Sequence, residues 1–478
     1  MTDNVIIFGW VCVVFFGLTV VIPYLRGKSD LLTTWNLFLI GAMNFVGYAA
    51  VQSGWDVYSY GLFTNDDYIK LMLGTTVFFV ALYIAYYRTR WAGRLAGRTL
   101  LRWPEYRGGA LLPILVICVA IELVGLLTPN VQFLGQIVII IGPTAGVIAV
   151  AVCFRAWLNN KTSGVLLFVT LGLLALAAVS SINNSTGRRS LLSVLVVMPF
   201  CAYWMWFRFR PKLYTVVPLV LAVLMTVVMM AGYTTIRHRY NSEKVNVADR
   251  TAFETTIESL TLLPTAVMEL STLAEVFGGD SMEASLVAIQ YYSTVAHPQP
   301  FFSFKYILAN PFPRAWWPDT WGEKPKALGE TLPRDIGVWT RTGYVNWGPG
   351  IAGHGFHEGG YHMLAFYGIL IGLSLRYMDE LLVRQSDNPY YLGVIAAASS
   401  QIIAFSRGDM ALFAVLILGA ILAGFIIRWV GRIFTGYGLV YPSDAERAAL
   451  AAIESQPAPQ IDRPEWSGAR GSFAAMQN

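Results

Sequence analysis

Charged residues are scarce in this sequence. Asp, Glu, Lys and Arg make up only 13% of the 478 residues, whereas hydrophobic residues make up 55%, and the mean hydropathy is +0.53. Soluble globular domains carry about a quarter charged residues, so this composition excludes an ordinary soluble domain. The net charge of +5 is not gathered in one basic patch, and nucleic acid is not expected as a partner. The composition indicates an integral membrane protein.

Cysteine is also rare, and none of it lies in the long polar stretch of the second half. The four cysteines fall in apolar runs: Cys12, Cys118, Cys153 and Cys201. No disulfide framework is therefore expected. The first apolar run, about residues 5–25, has neither a basic leader nor an Ala-x-Ala cleavage site, so we expect it to be retained as a helix.

Apolar runs long enough to cross a membrane recur along the chain. A spanning helix needs roughly 20 apolar residues. Such runs lie near residues 5–25, 32–52, 68–87, 110–128, 131–154, 163–182, 190–207, 213–232, 357–375, 391–406 and 411–428. The expected fold is all-α, a polytopic transmembrane helix bundle of about eleven spans.

Basic residues follow every odd-numbered run. They begin with Arg26, Arg88, Arg155, Arg208, Arg376 and Arg428. Because cytoplasmic loops carry the excess of Lys and Arg, this pattern predicts an N-terminus outside and a C-terminus in the cytoplasm. The predicted domains are residues 1–232 with eight spans, 233–356 as a large extracytoplasmic loop, 357–432 with three spans, and 433–478 as a largely disordered cytoplasmic tail. Residues 256–277 are expected to form an amphipathic helix at the membrane surface.

Several arginines lie at predicted outer positions, where the positive-inside rule disfavours them. They are Arg188, Arg189, Arg237, Arg239 and Arg407. A guanidinium group offers a planar set of donors that matches phosphate oxygens, so the arrangement predicts a site for a lipid pyrophosphate. The alternative is that these arginines snorkel to lipid headgroups or pair with carboxylates. Asp409 is expected to hold Arg407 in place.

All five histidines fall in the predicted outer loop or at its junction with the ninth run: His238, His297, His354, His357 and His362. His354, His357 or Glu358 is therefore a candidate general base or hydroxyl ligand at the membrane mouth. A zinc site is the alternative, but the order differs from His-Glu-x-x-His. The four glycines of residues 353–362 also make a regular helix across this segment unexpected. No metal and no other cofactor is predicted.

Tryptophan is concentrated in the same loop. Trp316, Trp317 and Trp321 lie close together near Arg314, and their flat rings suit the apolar faces of sugars. Anchoring at the bilayer interface is the alternative role for these rings.

With these features the sequence resembles the O-antigen polymerase and oligosaccharide repeat-unit polymerase family, and more distantly the O-antigen ligases. Residues 310–325, NPFPRAWWPDTWGEKP, are similar to the Pro-Arg-x-x-Trp-Pro-x-Lys-Pro segment of such proteins, and a glycine-rich stretch with Glu358 follows. The turns with Arg188 and with Arg407 are similar to the family's arginine positions. The sequence departs from many relatives in its outside N-terminus, its odd number of spans and extra residues after Trp317.

The resemblance implies a metal-independent glycosyltransferase in the bacterial inner membrane, acting on its outer face. It would move a growing glycan from undecaprenyl pyrophosphate to a lipid-linked repeat unit, so the implied partners are lipid-linked oligosaccharide and membrane lipid; a chain-length regulator is left open. Glu358 or His357 would deprotonate the sugar hydroxyl. The pyrophosphate would be held by Arg188, Arg237, Arg239 and Arg407, with Arg189 and Arg314 as helpers.

Three alternatives remain at this stage. An O-antigen ligase would use the same donor with a different acceptor. A transporter or flippase should show repeats and charged residues within its spans, and the apolar runs here are almost free of charge. A structural or sensory protein would use the tryptophans as anchors for a partner.

Overall fold

The computed structural model describes residues 2–55, 63–100, 111–127, 135–183, 188–210, 212, 214–226, 261, 281–312, 316–337 and 347–435. These residues contain helices and no β-strand. The helices are α1 (Thr2–Leu25), α2 (Thr34–Ala42), α3 (Ala49–Trp55), α4 (Asn65–Arg88), α5 (Trp91–Leu100), α6 (Leu111–Leu127), α7 (Gly135–Asn159), α8 (Gly164–Asn183), α9 (Arg188–Met205), α10 (Tyr214–Thr226), α11 (Ser281–Thr294), α12 (Phe302–Ala309), α13 (Leu328–Asp335), α14 (Gly350–Glu358), α15 (Tyr361–Arg384), α16 (Pro389–Ala404) and α17 (Met410–Thr435).

Six helical stretches are long and apolar enough to cross a membrane. Five of them are the single helices α1, α4, α7, α8 and α17, and the sixth is the continuous stretch Thr34–Ser53, which runs from α2 into α3. Shorter apolar helices lie in α6, α9 and α10. The chain is therefore an all-α, multi-pass membrane protein, as the composition predicted. The count of about eleven spans stays a prediction, as do the domain boundaries.

Helices α4 and α15 run parallel through the core. A Cβ atom at Gly368 would collide with the carbonyl oxygen of Phe78, and one at Gly372 would lie 2.6 Å from that of Leu82. The contact advances by four residues in the same direction along both helices, which defines a parallel pair. Glycine is needed here because the two backbones approach each other too closely for a side chain.

Basic residues that follow the apolar runs gather at the end where α4 and α15 terminate. Arg208 binds Asp30 at 2.8 Å, and Arg155 binds Asp387 at 2.7 Å. We call this the Asp379 end, comprising residues 25–36, 86–100, 155, 203–210, 212 and 376–391. The opposite, His354 end comprises residues 45–55, 180–183, 188–193, 281–312, 316–337, 347–358 and 400–413. The side of the membrane that each end faces stays a prediction.

The second apolar run is not one regular helix. A π-helical turn, Met43–Tyr48, separates α2 from α3. Within this turn Gly47 lies against α1, where a Cβ would come 2.8 Å from a methyl group of Val13. Apolarity predicted the run but not this change of helix type.

No regular helix runs across the whole of residues 353–362, as expected, but the interruption is confined to Gly359 and Gly360. Helix α14 passes through Gly353 and Gly355 and ends at Gly359 and Gly360, which have φ of 141° and 74°. A Cβ at Gly355 would collide with the side chain of Leu364. Through Gly353 and Gly355 the helix continues because close packing offsets the roughly 1 kcal/mol that each glycine costs in a helix.

The helix break also moves the start of the predicted ninth span. The long helix α15 begins at Tyr361, so His357 and Glu358 belong to the separate helix α14. Helices α11 and α14 share the main core with the bundle through Leu286, Ile289 and Ile351. This part of the predicted loop is therefore packed onto the bundle.

Some predicted features lie outside the described residues. They are the amphipathic helix over residues 256–277, apart from Thr261, and the tail from residue 436 onward.

Candidate functional site

Helix α14 carries the three predicted base candidates on a short buried segment. His354, His357 and Glu358 are each at most 2% exposed. Positions 354 and 358 are four residues apart and therefore lie on the same face of the helix. This face points toward the turn between α16 and α17.

The imidazole of His354 lies between two carboxylates. Its Nε2 is 3.3 Å from Oδ1 of Asp409, and its Nδ1 is 3.9 Å from Oε1 of Glu358. Nε2 is also 3.2 Å from the backbone nitrogen of Met410. A protonated ring donates to Asp409, whereas only a neutral ring accepts from Met410, and the two carboxylates favour the protonated form.

The charge state of His354 follows from these neighbours. Burial by itself lowers the pKa of this histidine, but Asp409 and Glu358 outweigh burial and raise the pKa to about 9. His354 is therefore an imidazolium at neutral pH. It fits a role in holding charge better than the role of a general base.

Asp409 joins the turn to two other elements. Its Oδ1 accepts from the N–H of Leu412 at 3.0 Å, which caps the start of α17, and its Oδ2 accepts from the N–H of Gly329 at 3.0 Å. Burial alone raises the pKa of Asp409, but His354 and the backbone donors lower it to about 2. The sequence suggested Arg407 as the ionic partner of Asp409; in the structure His354 is an ionic partner that the sequence did not suggest.

Glu358 accepts several hydrogen bonds at the C-terminal end of α14. The backbone N–H of Ser303 donates to Oε1 at 3.1 Å, the Ser303 hydroxyl donates to the same oxygen, and the hydroxyl of Tyr367 donates to Oε2 at 2.5 Å. Burial raises the pKa of Glu358, but His354 and these donors lower it below its ordinary value. The carboxylate is ionised and held in place by α12 and α15.

His357 has different surroundings from His354. Its ring meets the rings of Tyr292 and Phe302 edge-on, with centroids at 4.6 and 4.8 Å. Burial and the nearby charge of His354 lower the pKa of His357 to about 4, so the ring is neutral at physiological pH. Its role in this state is to pack the aromatic side chains of α11 and α12.

Two of the arginines predicted to bind phosphate, Arg189 and Arg407, lie at the turn that contains Asp409. The guanidinium carbon of Arg189 is 4.3 Å from the ring centroid of Phe413, and that of Arg407 is 5.5 Å from the ring centroid of Phe45. Both distances are in the range of cation–π contacts. A Cβ at Gly408 would lie 2.5 Å from the Phe413 ring, so glycine allows this ring to lie against the turn.

The other predicted arginines cannot be placed in the same way. Arg188 is the first residue of α9, and its side chain lies outside what the structure describes. Arg237, Arg239 and Arg314 also lie outside the described residues.

The tryptophan segment forms a closed loop with exposed rings. Trp316 and Trp321 are 62% and 66% exposed. Trp317 donates from Nε1 to the carbonyl of Gly322 at 2.9 Å and meets Trp321 edge-on at 5.3 Å. Lys324 closes the loop by donating to the carbonyl oxygen of residue 312 at 2.6 Å.

This loop is attached beside the Asp409 turn. It follows α12, whose Tyr306 packs on Ala411 and Val415 at the start of α17. The exposed tryptophan rings therefore belong to the same end of the molecule as His354 and Arg407.

Two residues of the cluster had no sequence signal. Ser303 lies 55 positions from Glu358, and Tyr367 lies nine positions away inside an apolar run. Neither spacing corresponds to neighbours on one helix face. Only the tertiary fold brings these hydroxyl groups to the carboxylate.

Unpaired buried polar atoms are concentrated at the His354 end. Within the described residues, eight such atoms there have no hydrogen-bond partner: Nδ1 of His354 and of His357, Oε1 of Gln52 and of Gln401, and Oγ of Ser53, Ser180, Ser181 and Ser406. Buried polar groups are usually paired, so this concentration indicates a site for a polar ligand. No group of three His, Cys, Asp or Glu side chains that could hold a metal ion is present in the same part of the chain.

Comparisons with protein-family models, with curated proteins and with solved structures gave no match.

Proposed function

We propose that this protein is an inner-membrane polysaccharide polymerase. It transfers a growing glycan from undecaprenyl pyrophosphate to a lipid-linked oligosaccharide repeat unit on the extracytoplasmic face. The observation that carries the proposal is the turn at residues 405–409. Arg407 and Asp409 belong to this turn, Asp409 contacts His354, and Arg189 lies over Phe413 one turn further on. Two arginines suited to bind phosphate and a buried network of His354, Asp409 and Glu358 thus lie at one end of the bundle, which supports the proposal.

The arginines would act on the leaving group. In the reaction the bond between the anomeric carbon and the pyrophosphate oxygen breaks, and the lipid pyrophosphate leaves as an anion. Arg189 and Arg407 would bind that anion through their guanidinium groups, with Arg188, Arg237, Arg239 and Arg314 as further candidates. Donors that are already oriented lower the barrier because they stabilise charge that grows in the transition state.

Glu358 is the best candidate for the base. It is an ionised carboxylate, whereas His354 already carries a proton. The acceptor sugar hydroxyl would take the position of the Ser303 hydroxyl on Oε1, attack the anomeric carbon and pass its proton to Glu358. His354 would compensate the charge of the carboxylate before transfer. The exposed rings of Trp316 and Trp321, together with the half-buried ring of Trp317, would stack on the sugars.

The test is a gel of surface and lipid-linked glycan from a deletion strain that carries variants. We expect wild type to restore long polymer, and Arg407→Ala and Glu358→Gln to leave single repeat units on the lipid. A general base contributes about 10²- to 10⁴-fold in rate, so loss of polymer should be nearly complete for Glu358→Gln. Arg407→Lys keeps the charge but loses the fork of donors and should restore polymer only in part.

Arg94→Ala is the matched control. Arg94 is an exposed arginine on α5, which packs on α15 at the Asp379 end. This variant should produce polymer like wild type. Polymer of normal length from Arg407→Ala, at equal protein level, would contradict the proposal. Full-length polymer that stays on the lipid carrier would instead favour an O-antigen ligase.

Transport of lipid-linked glycan is a second candidate, because one observation favours it. The apolar runs contain almost no charged residues, but one of them, α6, contains Glu122, whose side chain is buried. Ionisable residues inside a bundle often belong to transport pathways. In a deletion strain, a transport defect would leave the lipid-linked repeat unit on the cytoplasmic leaflet, whereas a polymerase defect would leave it on the outer leaflet.

A further inference from the structure

Glu122 is a carboxyl group enclosed by apolar helix. It lies in α6, whose sequence LLPILVICVAIELVGLL contains no other charged residue, and its side chain is fully buried. Neither Oε1 nor Oε2 has a hydrogen-bond partner within the described residues. The cluster around His354 does not include this residue.

The carboxyl group packs directly on the backbone of α7. A Cβ atom at Gly146 would lie 2.7 Å from Cδ of Glu122 and 2.8 Å from its Oε2. Glycine at this position therefore makes room for the carboxyl group between the two helices. The fit shows that the side chain is accommodated inside the bundle and does not turn outward to the surface.

No cationic group of the described residues forms a hydrogen bond with the carboxyl group of Glu122. Helices α7, α8 and α17 pack on α6. Their charged residues within the described chain are Arg155, Arg428 and Arg432, and the other titratable groups on these helices and on α6 are Cys118 and Cys153. Arg155 binds Asp387 and lies nine positions after Gly146, which is about 13 Å along the helix. Arg428 and Arg432 lie near the end of α17.

An ionised carboxylate is costly in such surroundings. Apolar side chains and lipid provide neither donors nor a high dielectric constant, so the charged form loses its hydration without replacement. A neutral carboxylic acid avoids most of this cost. We propose that Glu122 is a proton-binding site inside the helix bundle, occupied by a proton at neutral pH.

This inference is independent of the polymerase proposal. The step is an equilibrium in which one carboxylate oxygen gains a proton from water, and no bond to substrate forms or breaks. Such a site provides a titratable group within the spans, which is the kind of group that proton-coupled membrane proteins use.

The first measurement is labelling of the purified full-length protein with dicyclohexylcarbodiimide. This apolar reagent adds to a protonated carboxyl group: the acid proton moves to a carbodiimide nitrogen and the carboxyl oxygen bonds to its central carbon. We expect peptide mass mapping to find the adduct on Glu122 at neutral pH in wild type. The same peptide of Glu122→Gln should stay unlabelled, and exposed Asp66, which pairs with Lys70, should remain unlabelled in both.

Infrared spectroscopy covers the case in which the reagent cannot reach the site. The C=O stretching band of a protonated carboxylic acid should be present in wild type at neutral pH, shift in deuterated water, and be missing from Glu122→Gln. Gly146→Ala, which crowds the carboxyl group, should shift the same band. Helix content by circular dichroism checks that each variant is folded.

Three results would overturn the proposal. Spectra of wild type and Glu122→Gln that do not differ in the C=O stretching band of protonated carboxylic acids at neutral pH would show that the group is ionised. Protection of Glu122 from the reagent by Na⁺ at constant pH would assign a metal cation as its ligand. A carboxyl band that is absent at neutral pH and present only in acid would show an ordinary surface-like carboxylate.

Discussion

The two ends of this molecule both bury carboxylates, but they surround them differently. At the Asp379 end Asp30 is paired with Arg208, whereas the carboxylate of Asp379 receives hydrogen bonds from a helix terminus and from hydroxyl groups. At the His354 end the carboxylates share one imidazolium, and many polar atoms nearby are unpaired. Asp379 thus joins two helices through hydrogen bonds alone, whereas the His354 end combines paired charges with unpaired polar atoms.

Asp379 fixes the start of α2 from a neighbouring helix. Its carboxylate accepts from the backbone N–H of Thr34 at 2.6 Å, the Thr34 hydroxyl at 2.7 Å, the N–H of Trp35 at 3.2 Å and the hydroxyl of Tyr86 at 2.7 Å. The first N–H groups of a helix lack partners within the helix, and a carboxylate satisfies them and its dipole together. This arrangement is complete without a ligand.

At the His354 end, in contrast, several buried polar atoms lack a hydrogen-bond partner within the described residues. Apart from the indole of Trp35 and the carboxyl group of Glu122, the unpaired buried polar atoms of the described residues lie at this end. Two arginines and exposed tryptophans lie there as well. Buried polar atoms that the protein leaves unpaired are positions that water or a polar ligand can satisfy.

The largest effect on stability is expected at the Asp379 end. Asp379→Ala leaves the donors of Thr34, Trp35 and Tyr86 buried without an acceptor. Each unpaired buried donor costs about 1–3 kcal/mol, so the free energy of unfolding should fall by about 3 kcal/mol or more. The measurement is thermal unfolding of purified protein in detergent, followed by circular dichroism.

Asp379→Asn provides the control, because an amide oxygen still accepts from some of the donors and the cost should be smaller. Glycan made by whatever Asp379→Asn protein reaches the membrane should be of normal length. A normal melting temperature for Asp379→Ala would mean that this end is not the structural clamp.

A smaller effect, with a distinct pH dependence, is expected from His354. Its pKa is about 9 in the folded protein against an ordinary value of 6.5, so folding strengthens proton binding. The resulting stability is complete below pH 6.5 and is lost as the pH rises through about 9. The shift corresponds to about 3 kcal/mol between these limits. Asp409, with a pKa of about 2 against 3.8, contributes stability above pH 3.8 that is lost as the pH falls through about 2.

The measurement is the melting temperature between pH 6 and pH 10 for wild type, His354→Gln and His362→Gln. Wild type should lose stability on the alkaline side, and His354→Gln should be less stable at pH 6 but flatter with pH. His362 is exposed on α15, and its replacement should leave the wild-type curve unchanged. Parallel curves for wild type and His354→Gln would show that this ring is neutral when folded.

Sequence patterns predicted the helices better than their details. The run at residues 163–182 corresponds to α8, Gly164–Asn183, because apolarity over about 20 residues follows directly from burial in lipid. The π-helical turn at Met43–Tyr48 and the helix through Gly355 were not predicted. Both depend on how closely a neighbouring helix packs, which no local composition records.

The sequence likewise predicted only some of the residues of the candidate site. His354 and Glu358 were each candidates from the sequence, but their pairing four residues apart on α14 was not predicted, because the glycines made a regular helix there unexpected. Ser303 and Tyr367 could not be predicted, since tertiary packing alone brings them to Glu358. Glu122 shows a further limit: one charged residue hardly changes the apolarity of a run, yet it is the residue whose environment is least ordinary.

The smallest effect on stability is expected at Phe45. Replacing this residue should change the glycan much more than it changes the free energy of unfolding. Its ring lies under the guanidinium of Arg407 at 5.5 Å, and such a contact is worth about 0.5–2 kcal/mol. Phe45→Leu should lower the free energy of unfolding by about 1 kcal/mol, much less than Asp379→Ala. It should nevertheless shorten the glycan, because Arg407 loses the surface that orients it.

Phe45→Tyr keeps the ring face under Arg407 and should restore both stability and polymer length. Chain-length distributions from the two variants, at matched protein levels, check the prediction. If Phe45→Leu and Phe45→Tyr give the same long polymer, the ring does not orient Arg407 for binding. If both variants lose stability as severely as Asp379→Ala, the His354 end holds the fold together just as the Asp379 end does, and the proposed division between clamp and ligand site fails.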